Sequence, residues 1–204
     1  MYLRSKSQPP PEVKGIAVDE SFLRRFSRCH FQDLASFCLA NNPLSERVKN
    51  AIYWIVESRH DPSLAVACVK SSIALESLLI FDTSEPLNKN LSERTAFLLS
   101  DDAEERKQLS QVVKKFYDER SAVVHGHKTS TLPLLVESVD TLSTLMCLVI
   151  AQNARLWSSE TDLRKWCEDR KWGKRSDFEL KLPNSYLRKA IDALTKNTQD
   201  KKNQ

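Results

Sequence analysis

Three glycines in 204 residues leave this chain little freedom to turn tightly. Sandwiches and barrels spend a glycine, or something like it, at many of their hairpins, and phosphate-cradling loops need several close together. Such scarcity argues against both. The eight prolines fall mostly at the edges of segments dominated by Leu, Ala, Lys, Glu, Arg and Ser. That is the composition of an all-α fold. A formal net charge of +4 permits a polyanionic partner without demanding one.

The apolar residues recur at helical spacing along most of the chain. Residues 1–18, with Pro9-Pro10-Pro11, read as a disordered lead-in. A first helix is expected over 19–40, carrying Phe22, Leu23, Phe26, Leu34, Phe37 and Cys38, with His30 as a structural histidine on its face. Asn42-Pro43 supplies a cap and a first-position proline for a helix over 43–59 with Val48, Ile52, Tyr53, Ile55 and Val56. Asp61-Pro62 repeats that signal for a third helix, 62–82, apolar nearly all round and so predicted at the centre of a bundle. Further helices are expected over 90–99, from a cap at Asp101 with Glu104 to Gly126, over 132–157, after a Ser159/Asp162 cap, and over 184–195.

Two charged residues break this pattern. Leu109, Val112, Val113, Phe116, Tyr117, Val123 and Val124 form one stripe, and Arg120 falls in its middle. An unpaired buried guanidinium costs several kcal/mol and cannot discharge, so a carboxylate, a second subunit or a phosphate must meet it. Glu76 lies inside the most apolar part of the third helix and calls for a cation opposite, either Arg120 or Arg94. Glu76 then either orients Arg120 or does no more than hold two helices together. The five cysteines (Cys29, Cys38, Cys68, Cys147, Cys167) contain no C-x-x-C pair and read as buried reduced thiols. No cysteine and histidine cluster has metal-ligand spacing, so no metal is expected. No apolar signal core or bilayer-length run is legible, which predicts a soluble cytoplasmic protein without a membrane partner.

The passages Ile73-Ala74-Leu75-Glu76-Ser77-Leu78-Leu79 and Tyr117-x-x-Arg120-Ser121-x-x-Val124-His125-Gly126 resemble two signatures of the HEPN superfamily, in its Apea-like branch. The similarity spans about 43–157, and Arg94 resembles an arginine common between the two signatures. The resemblance implies a HEPN-like helical bundle over 19–158, with a basic helical extension and polar tail over 159–204. It implies a metal-independent endoribonuclease that uses no cofactor and works as a homodimer on single-stranded RNA. Such proteins serve in defence, abortive-infection, stress or toxin–antitoxin settings, some beside an antitoxin or nucleotidyltransferase partner. Carried to the matching positions, Arg120 and His125 are the catalytic pair. Arg120 would bind the phosphate through its planar fork and His125 would move the proton. The products would be a 2′,3′-cyclic phosphate and a 5′-hydroxyl. Tyr117, Ser121, Glu76 and Arg94 would support them.

His125 lies five positions after Arg120, so on a regular helix they point roughly 140° apart. They converge only if the helix unwinds near Gly126 or another chain completes the pocket. His127 has the looser spacing and shares Arg120's face if the helix continues, so it stands as the alternate. Farther on, Arg164, Lys165, Trp166, Arg170, Lys171 and Trp172, with Lys174 and Arg175, combine cations with aromatic rings. They either grip RNA by phosphate contact and stacking, or dock a helix with the charges left in solvent. The competing class for the whole chain is a non-catalytic module that binds RNA, a nucleotide or a partner protein.

Overall fold

The computed structural model describes residues 31–40, 43–82, 84–129 and 131–173, and every regular element among them is an α-helix. In chain order these are α1 (Phe31–Leu39), α2 (Pro43–His60), α3 (Leu64–Leu79), α4 (Leu87–Leu99), α5 (Ala103–Val124), α6 (Pro133–Gln152) and α7 (Glu160–Lys171). The expected lead-in, the stretch 19–30 with His30, and the closing helix 184–195 lie outside the described residues, as do Cys29, Lys174 and Arg175.

Two helices make the centre. α3 packs against α2, α4, α5 and α6, while α6 packs against α1, α2, α3, α4 and α5. Fourteen of the twenty α6 residues are buried, which is what a helix needs if neighbours surround it. By length and composition α6 could cross a membrane, but 78% of its apolar window is buried inside the bundle. The sequence reading found no such run. α6 ends at Gln152 and not near 157, because Asn153 turns back to donate its amide to the Val149 carbonyl at 2.9 Å. A turn then delivers Trp157 into the core.

Other expectations are corrected in detail. The buried stripe of α2 is Leu44, Val48, Ala51, Ile55 and Ser58, so Tyr53 and Val56, expected inside, lie on the far side and are exposed. α3 starts two residues after Pro62, capped by Ser63, while Asp61 is taken up by the Ser63 N–H and Lys70. Asp102, not Asp101, caps α5 by accepting from the Glu105 N–H at 2.8 Å. Asp101 is drawn away to Arg170 and Arg106. The Ser159/Asp162 cap of α7 forms as expected.

The C-terminal end of α3 has neither a basic residue of its own in the last turn nor a glycine to turn the chain. Its carbonyls are satisfied from outside. Arg47 of α2 donates to the Ser77 and Ile80 carbonyls at 2.8 Å each, and Arg94 of α4 donates to the Leu79 carbonyl at 2.6 Å. Both guanidiniums sit over the Phe81 ring, at 5.0 and 4.9 Å from its centroid. Two cations at this terminus also suit the helix dipole.

A polar cluster pins the middle of the bundle. Asp140 of α6, only 2% exposed, accepts from the Ser71 hydroxyl of α3 at 2.7 Å and the Ser58 hydroxyl of α2 at 3.2 Å. The two hydroxyl oxygens are themselves 2.8 Å apart. Two serine protons cannot fill three such contacts, and a proton on Asp140 completes the ring. Burial pushes this carboxyl up from 3.8 to about 6; the serine bonds and Arg59, 3.8 Å away, oppose it, and Glu137 adds to it.

A folded carboxyl that holds its proton to higher pH than the unfolded one makes stability fall as pH rises from about 4 to about 6. Above that window the cost is complete and amounts to about 3 kcal/mol. Asp140→Asn should therefore be the more stable protein at pH 7.5. The difference from wild type in denaturant midpoint should vanish near pH 4, and a constant difference across that range would refute the account.

Candidate functional site

Where α5 crosses α3, side chains one turn apart on each helix face each other: Ser72 and Glu76 from α3, Tyr117 and Arg120 from α5. Tyr117 is buried against the core, with its ring edge-on to Phe116. Its hydroxyl donates to Glu76 Oε1 at 2.7 Å. The Ser72 carbonyl lies at 3.5 Å, too far to compete for the one phenolic proton. Burial first, and then the negative charge of Glu76, raise the Tyr117 phenol far above its ordinary range, so it stays a donor.

Arg120 is placed at the edge of the stripe rather than its middle. Its side chain and that of Glu76 are each 27% exposed. The guanidinium meets a carboxylate, as one of the expected alternatives had it, but loosely: Arg120 Nη2 is 3.9 Å from Glu76 Oε1, and Nε is 3.4 Å from Ser72 Oγ. Ser72 spends its own proton on the Val69 carbonyl at 2.7 Å and so offers Arg120 a lone pair. Ser72 was not singled out from the sequence. Its position one turn before Glu76 was the available signal, since any helix that reaches Glu76 also passes Ser72.

The other arginines less than a third exposed are closed. Arg47 holds Glu160 at 2.7 Å as well as two carbonyls, and Arg106 holds the Ser100 carbonyl at 2.7 Å. Arg94 clasps Glu85 through both terminal nitrogens, at 2.6 and 3.0 Å, so it is the partner of Glu85 and not of Glu76. Those hydrogen bonds outweigh burial and hold the Glu85 carboxyl below the usual range. Arg170 is paired with Asp101. Among the described arginines of this class, Arg120 alone has no partner within 3.3 Å.

α5 keeps helical geometry to Val124, and His125 is its C-cap. Gly126, at φ 73°, then donates to the Val123 carbonyl at 3.1 Å, and His127 donates to the Ala122 carbonyl at 2.8 Å. These two bonds are a Schellman ending, which needs a left-handed residue at the glycine. Lys128 folds back onto Glu119 at 2.7 Å and fastens the turn. Because the helix stops here, the reason for setting His127 on Arg120's face is gone. His125 and His127 are both exposed, with ring centroids 6.4 Å apart. Among the described residues no hydrogen bond joins Arg120 to either ring. Ser121 contributes its carbonyl to the His125 N–H at 3.0 Å, and its side chain faces solvent.

Cys68, buried beside this crossing, is no nucleophile. Burial pushes its thiol up to about 11, with Glu119 adding to the rise while Thr131 and Arg120 oppose it. Along α7 the basic residues are mostly engaged. Arg164 pairs with Glu85 and Glu168, Lys171 with Glu93, and Arg170 is buried against Asp101 and the Trp166 ring. Trp166 packs edge-on to Trp157 at 5.0 Å, which docks α7 onto the bundle. Lys165 is exposed and Trp172 is 83% exposed, and these two keep a free surface. Among the described residues no group of His, Cys, Asp or Glu is arranged to hold a metal ion.

Compared with known proteins, this chain matches no family model, no curated protein and no solved structure.

A Cβ added at Gly126 meets nothing within 4 Å, so only the backbone resists substitution there. Gly126→Ala should cost about 1 kcal/mol. That cost should appear as a lower denaturant midpoint at unchanged slope. An unchanged midpoint would mean that the turn carrying His125 is not held as described.

Proposed function

We propose that this chain is a metal-independent endoribonuclease of HEPN type, cytoplasmic and homodimeric, cutting single-stranded RNA in a defence, stress or toxin–antitoxin setting. The observation that carries the proposal is Arg120. It is a permanently charged fork at the lip of an apolar bundle, held by contacts of 3.4 and 3.9 Å where Arg94, Arg47 and Arg106 are held at 2.6–2.7 Å. A group in that state has room for a phosphate. It lies little more than one turn from an exposed histidine at a fixed helix end.

In this mechanism an imidazole takes the proton from a ribose 2′-hydroxyl, and the oxygen attacks the adjacent phosphorus. Arg120 stabilises the added negative charge of the five-coordinate phosphorus. The 5′-oxygen leaves with a proton returned by an imidazole, giving a 2′,3′-cyclic phosphate. No change of oxidation state occurs. Since α5 remains helical to Val124, Arg120 and His125 of one subunit diverge. That divergence favours a site in which two copies of the chain bring their α5 ends to one phosphate. On α7, Lys165 and Trp172 are the groups left over to extend an RNA track by charge and stacking.

A second reading is a binding module without cleavage, with RNA, a nucleotide, or an antitoxin or nucleotidyltransferase partner as its ligand. It is favoured by the His125 ring, which no hydrogen bond among the described residues fixes in one orientation, whereas a working general base is usually held by a third group.

Purified protein should cleave single-stranded RNA in EDTA. Arg120→Ala or His125→Ala should reduce the rate by about 100-fold or more with helix content retained. A comparable loss in His127→Ala alone would transfer the role to His127. Full activity in both the Arg120 and His125 variants rules out the assignment, and RNA binding without cutting selects the module.

A further inference from the structure

Glu76 has one oxygen in two relationships. Oε1 accepts from the Tyr117 hydroxyl at 2.7 Å and stands 3.9 Å from Arg120 Nη2. The first distance is a strong charge-assisted bond and the second is beyond hydrogen-bond reach. Elsewhere in this protein an arginine beside a glutamate closes on it. In the more buried pair Arg94 takes both oxygens of Glu85, at 2.6 and 3.0 Å, and in one of similar exposure Arg47 takes both oxygens of Glu160, at 2.7 and 2.9 Å. Among the described residues no tyrosine hydroxyl bonds either of those glutamates. The contrast isolates what is special at the α3–α5 crossing.

We propose that Tyr117 is a positioning residue whose hydroxyl anchors the Glu76 carboxylate out of reach of Arg120 and thereby keeps the guanidinium open to an anion. This rests on the reading of Arg120 as the phosphate-binding group, and it assigns a reason for a buried tyrosine one turn before that arginine. Glu76 is near enough to hold Arg120 in place by charge. Held by the phenol with Oε1 3.9 Å from the guanidinium, it is a poor clamp. Ser72 contributes similarly, since its lone pair orients Nε at 3.4 Å without tying up the terminal nitrogens. Burial and the Glu76 charge keep the phenol protonated, so it remains a donor near neutrality. Cleavage is then tuned through Tyr117 without any contact between Tyr117 and RNA.

Removing the hydroxyl frees the carboxylate to turn, and the guanidinium should close on Glu76 as Arg47 does on Glu160. The anion must then displace an ion pair before it binds. Removing the carboxylate charge as well should undo the clamp. The test is a titration with inorganic phosphate, followed by the Arg120 Nε–Hε NMR signal in the full-length chain. Phosphate should shift that signal in wild type, with affinity falling on the order of tenfold in Tyr117→Phe. The double variant Tyr117→Phe/Glu76→Gln should recover most of the loss. A merely structural tyrosine predicts no recovery, because the double variant lacks the same hydroxyl. Failure to recover, equal affinity in Tyr117→Phe, or a wild-type signal that phosphate leaves unmoved would each overturn the proposal. RNA cleavage in EDTA by the same proteins separates the two claims. A wild type that binds phosphate at Arg120 but cuts nothing refutes the nuclease and spares the positioning role. A Tyr117→Phe variant that cuts like wild type refutes the positioning role alone.

Discussion

α3, one of the two central helices, sets the register of this bundle. It is apolar enough that α2, α4, α5 and α6 all press against it, and eight of its sixteen residues are buried. Apolar contact by itself is indifferent to register, since neighbouring ridges slide past one another at modest cost. The polar groups along α3 remove that indifference. Ser71 locks it to α2 and α6 through Ser58 and Asp140, and Ser72 with Glu76 meets α5. The carbonyls of Ser77, Leu79 and Ile80 take Arg47 and Arg94. A slip of one turn along any of these crossings would strand a buried charge or hydroxyl, which costs more than the lost apolar contact.

These crossings differ in how completely they are satisfied, and the difference separates structure from candidate chemistry. At the end of α3 the arginines are held by carbonyls, carboxylates and the Phe81 ring. At the α3–α5 crossing one carboxylate oxygen takes a phenol, and the arginine stands 3.9 Å from it. Burial is also graded: Arg94 and Glu85 are almost enclosed, whereas Arg120 and Glu76 retain about a quarter of their surface. A closed pair in a dry place holds helices together. An open cation at a wet edge is available to a ligand, which is the basis of the proposed function.

The glycine at the end of α5 has the complementary role. A helix that ran on would carry His127 toward Arg120's face, whereas the left-handed Gly126 ends the ladder and leaves His125 as the cap. The two candidate groups are therefore set on different sides of one helix terminus. Within a single copy they do not meet, and this geometry underlies the place given to a second copy in the mechanism.

What the sequence determined by itself was local. Periodicity and the dearth of glycine announced an all-α chain. Pro43, Gly126 and the Ser159/Asp162 pair marked helix ends correctly, since caps depend on residues within one turn. Glu76 and Arg120 were also visible as misfits, because a charge on an apolar stripe needs no partner to look wrong. Tertiary structure decided everything that required a second helix. It gave Arg94 to Glu85, moved the α5 cap to Asp102 by drawing Asp101 to Arg170, and turned Tyr53 and Val56 outward. It also placed Ser72 beside Arg120 and set the phenol of Tyr117 on Glu76. Which of two neighbouring residues wins a partner is a matter of ångströms between elements distant in the chain, and no spacing within one helix encodes that.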